Sequence, residues 1–108
     1  MDLEIDRFFG NIASLRMDLS DYEKWCKDYE SFRYKYPQWI MRNGKGINLY
    51  DMEDNHLTNT IRLVEKKDPK STWLKALKQE ETYRKLKKKI FELKLSLERM
   101  EEISDKVF

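Results

Sequence analysis

The feature that most constrains this fold is the stretch that follows Pro69, because it contains no residue that interrupts a helix. Neither glycine nor proline occurs in the 39 residues after Pro69. Asp68 followed by Pro69 is typical of a helix start, with aspartate as the N-cap and proline in the first helical position. The pattern therefore predicts one helix over residues 69–107, about 58 Å long at 1.5 Å per residue.

The second half of this helix carries a coiled-coil pattern. After Tyr83, apolar residues alternate in steps of three and four, which is typical of a helix-packing seam, and they are Leu86, Ile90, Leu93, Leu97 and Met100. Two arrangements are open, a bundle within one chain and a homo-oligomer. We favour self-association through this seam, because the shorter preceding elements cannot cover so long an apolar stripe.

The N-terminal third, residues 1–36, predicts two further helices. Apolar residues at helical spacing predict the first over residues 2–17. Ser20 and Glu23 form a capping-box pattern, which predicts that a second helix begins there and covers residues 21–35. Pro37 then ends the helical pattern, since proline disfavours the helical conformation of the residue before it.

A β-hairpin is expected next, over residues 38–50, because apolar residues flank an Asn43-Gly44 turn on both sides. Gly44 and Gly46 are expected to supply positive φ angles in this turn. A helix over residues 54–66 follows, with an apolar side formed by Leu57, Ile61 and Val64. The fold class is thus mainly α with one β-hairpin (α+β), a helical bundle in a single domain of residues 1–108.

Composition argues against an enzyme. The chain has one cysteine, one histidine and three glycines, so no disulfide framework, cysteine-built metal site or glycine-rich phosphate loop is expected. No catalytic residue, cofactor or metal is predicted, and the carboxylates, including Glu80-Glu81, are expected on solvent-facing sides of helices. The lack of a signal-peptide pattern or an apolar membrane span favours a cytoplasmic protein.

A binding site is the more credible function. Residues 66–89 carry ten basic and three acidic residues, which favours an anionic partner, although such blocks also occur on solvated helix faces. Aromatic rings can stack on a base, an amide can read its edge, and cations can hold a phosphate. The candidate ligand-binding residues are Trp39, Tyr50, His56, Asn59, Arg62, Lys85 and Lys88. Packing and surface roles for these residues stay open.

Part of the chain resembles a motif of small uncharacterised proteins from tailed bacteriophages. The motif is an aromatic residue, a glycine turn, Asp-Met and His-Leu-x-Asn-Thr-Ile-Arg, which correspond here to Trp39, Gly44, Asp51-Met52 and residues 56–62. Small phage proteins of this kind often counter bacterial defence, either as sponges for nucleotide messengers or as anti-CRISPR inhibitors. By this analogy we expect a cytoplasmic counter-defence protein that captures a nucleotide-like anion. A protein-binding inhibitor and a small DNA-binding regulator are the alternatives.

Overall fold

The computed structural model describes the backbone of residues 3–107 and most side chains between Arg7 and Lys106, those of Phe8 and Phe9 excepted. The protein is mostly helical, with one two-stranded antiparallel hairpin and a long C-terminal helix. This confirms the coarse fold expected from the sequence. The elements are α1 (Leu3–Glu30), β1 (Trp39–Ile40), β2 (Gly46–Ile47), α2 (Asp54–Lys67) and α3 (Thr72–Val107), with single 3₁₀ turns at Arg33–Lys35 and Leu49–Asp51.

The N-terminal region forms one helix, so the prediction of separate helices over 2–17 and 21–35 is wrong. Ser20 and Glu23 lie inside α1 and cap nothing. A capping box begins a helix only where the preceding backbone leaves the helical conformation. No glycine or proline interrupts residues 11–30, so the backbone stays helical through Ser20. At the end of α1 the Ser31 hydroxyl donates to the Asp28 carbonyl at 2.6 Å, which satisfies one terminal acceptor. The predicted start at residue 2 lies outside the described residues.

The hairpin lies where the sequence places it, but its strands are only two residues long. Trp39 pairs with Ile47 across the two strands. The Gly44 amide donates to the Met41 carbonyl at 2.9 Å, and Gly44 has a φ of 83°, as predicted. Gly46 does not share this conformation, so that part of the prediction is wrong. Residues after Ile47 turn into 3₁₀ structure, because Leu49 is drawn into the core.

The long helix begins at Thr72, three residues later than predicted. Asp68 closes α2 instead, since its amide donates to the Val64 carbonyl at 2.8 Å. An amide used in this way belongs to the last turn of the preceding helix, so Asp68 is not the N-cap of α3. The cap role falls to Ser71, whose hydroxyl oxygen accepts from the Trp73 amide at 3.2 Å.

The chain divides into two compact units, and each has its own buried residues. The unit of residues 27–85 contains the hairpin and α2. Its core comprises the predicted apolar side of α2 together with residues from the 3₁₀ turn and α3, namely Leu49, Met52, Leu57, Ile61, Val64, Ala76 and Leu77. Trp39 and Trp73 pack against this core with their rings nearly perpendicular and 5.2 Å apart.

The other unit combines residues 1–26 with residues 86–108. An ion pair joins Arg16 to Glu101, and another joins Glu23 to Lys94 at 3.5 Å. Because the later residue of α1 pairs with the earlier residue of α3, the two helical segments run antiparallel. Among the described side chains of this unit, the buried apolar ones are Ile12, Cys26, Ile90, Leu93 and Leu97.

Candidate functional site

A groove lies beside the hairpin and α2 in the unit of residues 27–85. On α2 it uses positions spaced four, three and four residues apart, which share one helix face. The hairpin supplies the other wall through β1 and the start of its turn. The groove has a volume of about 500 Å³ and is lined by Trp39, Ile40, Met41, Arg42, His56, Thr60, Leu63 and Lys67.

Three contacts hold the walls of the groove. The buried Thr60 hydroxyl donates to the His56 carbonyl at 2.8 Å, one turn earlier on α2. Trp39 is half-buried and is supported by the ring of Trp73. Pairing of Trp39 with Ile47 fixes the backbone of the hairpin wall. The groove is therefore a preformed surface rather than a gap between loose side chains.

The charge of the groove is entirely basic. Arg42 and Lys67 are its charged lining residues, and no carboxylate of the described residues lines it. Both side chains are exposed, and no ion pair joins either of them to a carboxylate within the described residues. Since opposite charges attract and no carboxylate competes, the groove favours an anionic group near these two cations.

The structure brings together two of the seven predicted ligand-binding residues. Trp39 and His56 both line the groove. Asn59 and Arg62 are exposed on α2 outside its lining. A repeat of three residues drifts around a helix of 3.6 residues per turn, so these side chains leave the face that His56 shares with Thr60 and Leu63.

The other three predicted residues lie elsewhere. Tyr50 packs against Tyr34 with ring centroids 4.8 Å apart. Lys85 pairs with Glu81 at 3.4 Å, and Lys88 belongs to the unit that contains residues 86–108. The spacing of four, three and four from His56 is the sequence signal that finds Leu63 and Lys67. Arg42 carries no such signal, because its place depends on the turn.

A buried ionic cluster is the second notable feature of this unit, and the prediction that its central residue faces solvent is wrong. Glu80 is completely buried rather than solvent-facing. Its carboxylate accepts from the Tyr29 hydroxyl at 3.0 Å and from Arg33 Nη2 at 2.8 Å on each oxygen. Arg84 Nε donates to the same carboxylate at 3.1 Å. We call Tyr29, Arg33, Glu80 and Arg84 the Glu80 cluster.

Aromatic rings and further acceptors complete the surroundings of the two arginines. The Arg33 guanidinium carbon lies between 4.5 and 5.9 Å from four tyrosine ring centroids, those of Tyr29, Tyr34, Tyr50 and Tyr83, which adds cation–π attraction. Arg84 donates to Asp54 at 2.9 Å and to the Leu49 carbonyl at 3.2 Å. Because its donors are paired, the cluster stabilises the fold rather than forming a reactive site.

The electrostatics of the cluster shift two pKa values. Burial, followed by the negative charge of Glu80, raises the pKa of the Tyr29 hydroxyl well above its usual range. Burial alone would lower the pKa of Arg33, but the charge and hydrogen bonds of Glu80 outweigh it and raise the pKa. Arg33 therefore keeps its positive charge at neutral pH.

Comparison with known proteins gives no relative, since no family model, curated protein or solved structure matches the chain. Among the described residues, no three His, Cys, Asp or Glu side chains come close enough together to hold a metal ion. Over the same part of the chain, no helix has the length and apolar character that crossing a membrane requires.

Proposed function

We propose that this chain is a non-enzymatic binding protein that captures a nucleotide-like anion in the groove beside the hairpin and α2. The observation that supports this proposal is the placement of Arg42 and Lys67 in a groove that also offers Trp39 and Leu63 and, among the described side chains, no carboxylate. A nucleotide combines an anionic phosphate with a flat, partly apolar base. The groove offers a complement to each of these two parts.

In the proposed complex, the two cations contact the phosphate and the apolar wall contacts the base. Arg42 can donate two parallel hydrogen bonds to phosphate oxygens, whereas Lys67 acts as a point charge. The indole of Trp39 and the side chain of Leu63 provide apolar surface for the base. A volume of about 500 Å³ is in the range of small-ligand sites, about 300–1,000 Å³.

Titration calorimetry with cyclic and linear nucleotides tests this proposal. Arg42→Gln and Lys67→Gln each remove one cation, and each is expected to weaken binding about tenfold, which corresponds to about 1.4 kcal/mol. Lys45→Gln is the matched control, because Lys45 lies in the same turn, is exposed, and does not line the groove. Binding that is unaffected by both groove variants would contradict the assignment.

A protein inhibitor is the second candidate, and the apolar rim of the groove favours it. Ile40 is 64% exposed and Leu63 is 42% exposed, and both lie at the groove. Exposed apolar side chains next to cations suit an acidic protein surface with an apolar anchor. No heat with any nucleotide, together with a host protein retained by the wild type but not by Ile40→Ser, would favour this candidate.

The counter-defence role of the proposal rests on the resemblance of residues 39–65 to small phage proteins. In a bacterial host whose defence uses a nucleotide messenger, expression of the chain in the cytoplasm is expected to restore plaque formation by a sensitive phage. The Arg42→Gln/Lys67→Gln variant is expected to lose this effect, and Lys45→Gln to keep it. If the double variant and Lys45→Gln restore plaque formation equally, the counter-defence effect does not depend on the groove.

We also propose that the chain forms a homo-oligomer through α3. The supporting observation is that, within its described part, α3 exposes three large apolar side chains, those of Phe91, Leu95 and Ile103. The seam expected to hold subunits together is largely used within one chain, since Ile90, Leu93 and Leu97 are at most 8% exposed. Leu86 and Met100, at the ends of this seam, are half-buried.

A further inference from the structure

We infer that two copies of this chain associate through the face of α3 that carries Phe91 and Leu95, with their α3 helices antiparallel. This inference rests on the proposed self-association and names the surface and orientation that it uses. The surface differs from the apolar seam around Leu93, which is buried inside the unit of residues 1–26 and 86–108.

The position of the face follows from helix geometry and burial. Phe91 and Leu95 are one turn apart, so their side chains lie next to each other on α3. Phe91 is 65% exposed and Leu95 is 38% exposed. Leu93 is two residues from each, which places it about 160° around the helix from both. The buried seam and the exposed pair are therefore on opposite sides of α3.

The charges on either side of this apolar pair favour a second copy of the chain in the antiparallel direction. Residues 87–89 are three lysines and carry +3, whereas residues 98–105 contain four acidic residues and one arginine and carry −3. The exposed apolar pair lies between these two blocks. A second copy in the antiparallel direction places each basic block against an acidic block, while a parallel copy places like charges together.

Individual residues agree with this arrangement. Lys88, Glu98 and Glu102 are exposed, and no ion pair within the described residues involves them. A register that sets Phe91 of one copy against Leu95 of the other also sets residue 88 against residue 98 twice, once on each side of the two-fold axis. Such a surface is complementary to itself, as the interface of a two-fold dimer requires.

The experiment combines a mass measurement with two variants matched for exposure. Light scattering at about 100 µM protein is expected to give twice the monomer mass of 13.3 kDa for the wild type. Phe91→Ser is expected to give the monomer mass, because it removes the centre of the interface. Met17→Ser is the control, since Met17 is 69% exposed but lies on α1, and it is expected to stay dimeric. Circular dichroism verifies that both variants remain helical.

Cysteine cross-linking tests the orientation. Under mild oxidation, a mixture of Lys88→Cys and Glu98→Cys is expected to form a disulfide-linked heterodimer. Each variant alone is expected to stay uncross-linked, because in the antiparallel dimer two copies of one position lie about ten residues apart, or about 15 Å along the helix. Cys26 is buried, and the wild type treated in parallel accounts for any contribution from it.

The outcomes distinguish failure of this antiparallel interface from failure of the proposed self-association. A dimer that persists in Phe91→Ser, or a Lys88→Cys variant that cross-links to itself, overturns this interface and orientation but leaves self-association intact. A wild type that has the monomer mass overturns both. Neither result bears on ligand capture, because the groove lies wholly in the unit of residues 27–85.

Discussion

Replacement of Glu80 by glutamine is the most direct test of what stabilises the unit that carries the groove. Glutamine keeps the size of the side chain but removes the negative charge that faces Arg33 and Arg84. The Glu80 side chain is 0% exposed, and the side chains of Arg33 and Arg84 are 13% and 20% exposed. The substitution therefore leaves two largely buried cations without their shared counter-ion.

The expected cost follows from these burial values. Removal of one partner from a buried ion pair typically costs about 3–5 kcal/mol. Arg84 also pairs with Asp54, and Arg33 retains its tyrosine rings, so we expect the lower end, about 3 kcal/mol. Domains of this size are stable by about 5–15 kcal/mol, which makes the loss a large fraction of the total.

Urea unfolding followed by circular dichroism measures this effect. Glu80→Gln is expected to lower the midpoint with little change in the slope, since the surface exposed on unfolding stays the same. Glu81→Gln is the matched control, because Glu81 pairs with Lys85, whose side chain is 73% exposed. Exposed pairs contribute at most about 1 kcal/mol. Equal midpoints for the two variants would refute the role assigned to the Glu80 cluster.

Two further predictions concern the turn and the tyrosine of the cluster. Gly44→Val is expected to destabilise the protein by about 1–3 kcal/mol, because valine resists the positive φ of this position, and a thermal unfolding midpoint equal to that of the wild type would contradict this. Stability is expected to fall above about pH 10, since the raised pKa of Tyr29 keeps its proton bound in the folded chain after the unfolded chain has released it. Chemical denaturation curves measured at increasing pH are expected to show a smaller loss of stability for Tyr29→Phe than for the wild type. An equal loss in both would show that groups other than Tyr29 cause it.

Local sequence patterns predicted the elements of this fold better than their boundaries. The range of α2 and the positive φ of Gly44 follow from short-range rules, and the structure confirms both. The start at Ser20 was wrong because a capping box states only that a helix is able to begin there. The start at Asp68 was wrong because the same residue also suits the end of α2, and only the hydrogen bond of its amide decides between the two.

The misplaced burial of Glu80 shows what one-dimensional patterns leave out. Glu80 follows Ala76 and Leu77 at helical spacing, so its position belongs to the buried stripe of α3. The charge of Glu80 predicts a side chain exposed to solvent, because burial of an isolated carboxylate costs free energy. The compensating partners Tyr29 and Arg33 are about fifty residues away in the sequence, and no local rule brings them to Glu80.

The Glu80 cluster also bears on the groove in which we propose that a ligand binds. Through Arg84 the cluster connects α3 to Asp54 in the first turn of α2, and to the carbonyl of Leu49 in the preceding 3₁₀ turn. His56 follows Asp54 by two residues, so the groove wall formed by α2 starts close to a helix turn that the Arg84–Asp54 ion pair holds, in which the Asp54 side chain is 69% exposed. A wall held in this way loses little conformational freedom when a ligand binds. In the proposed ligand capture, the cluster would therefore act by preorganising the groove, although none of its four residues lines it.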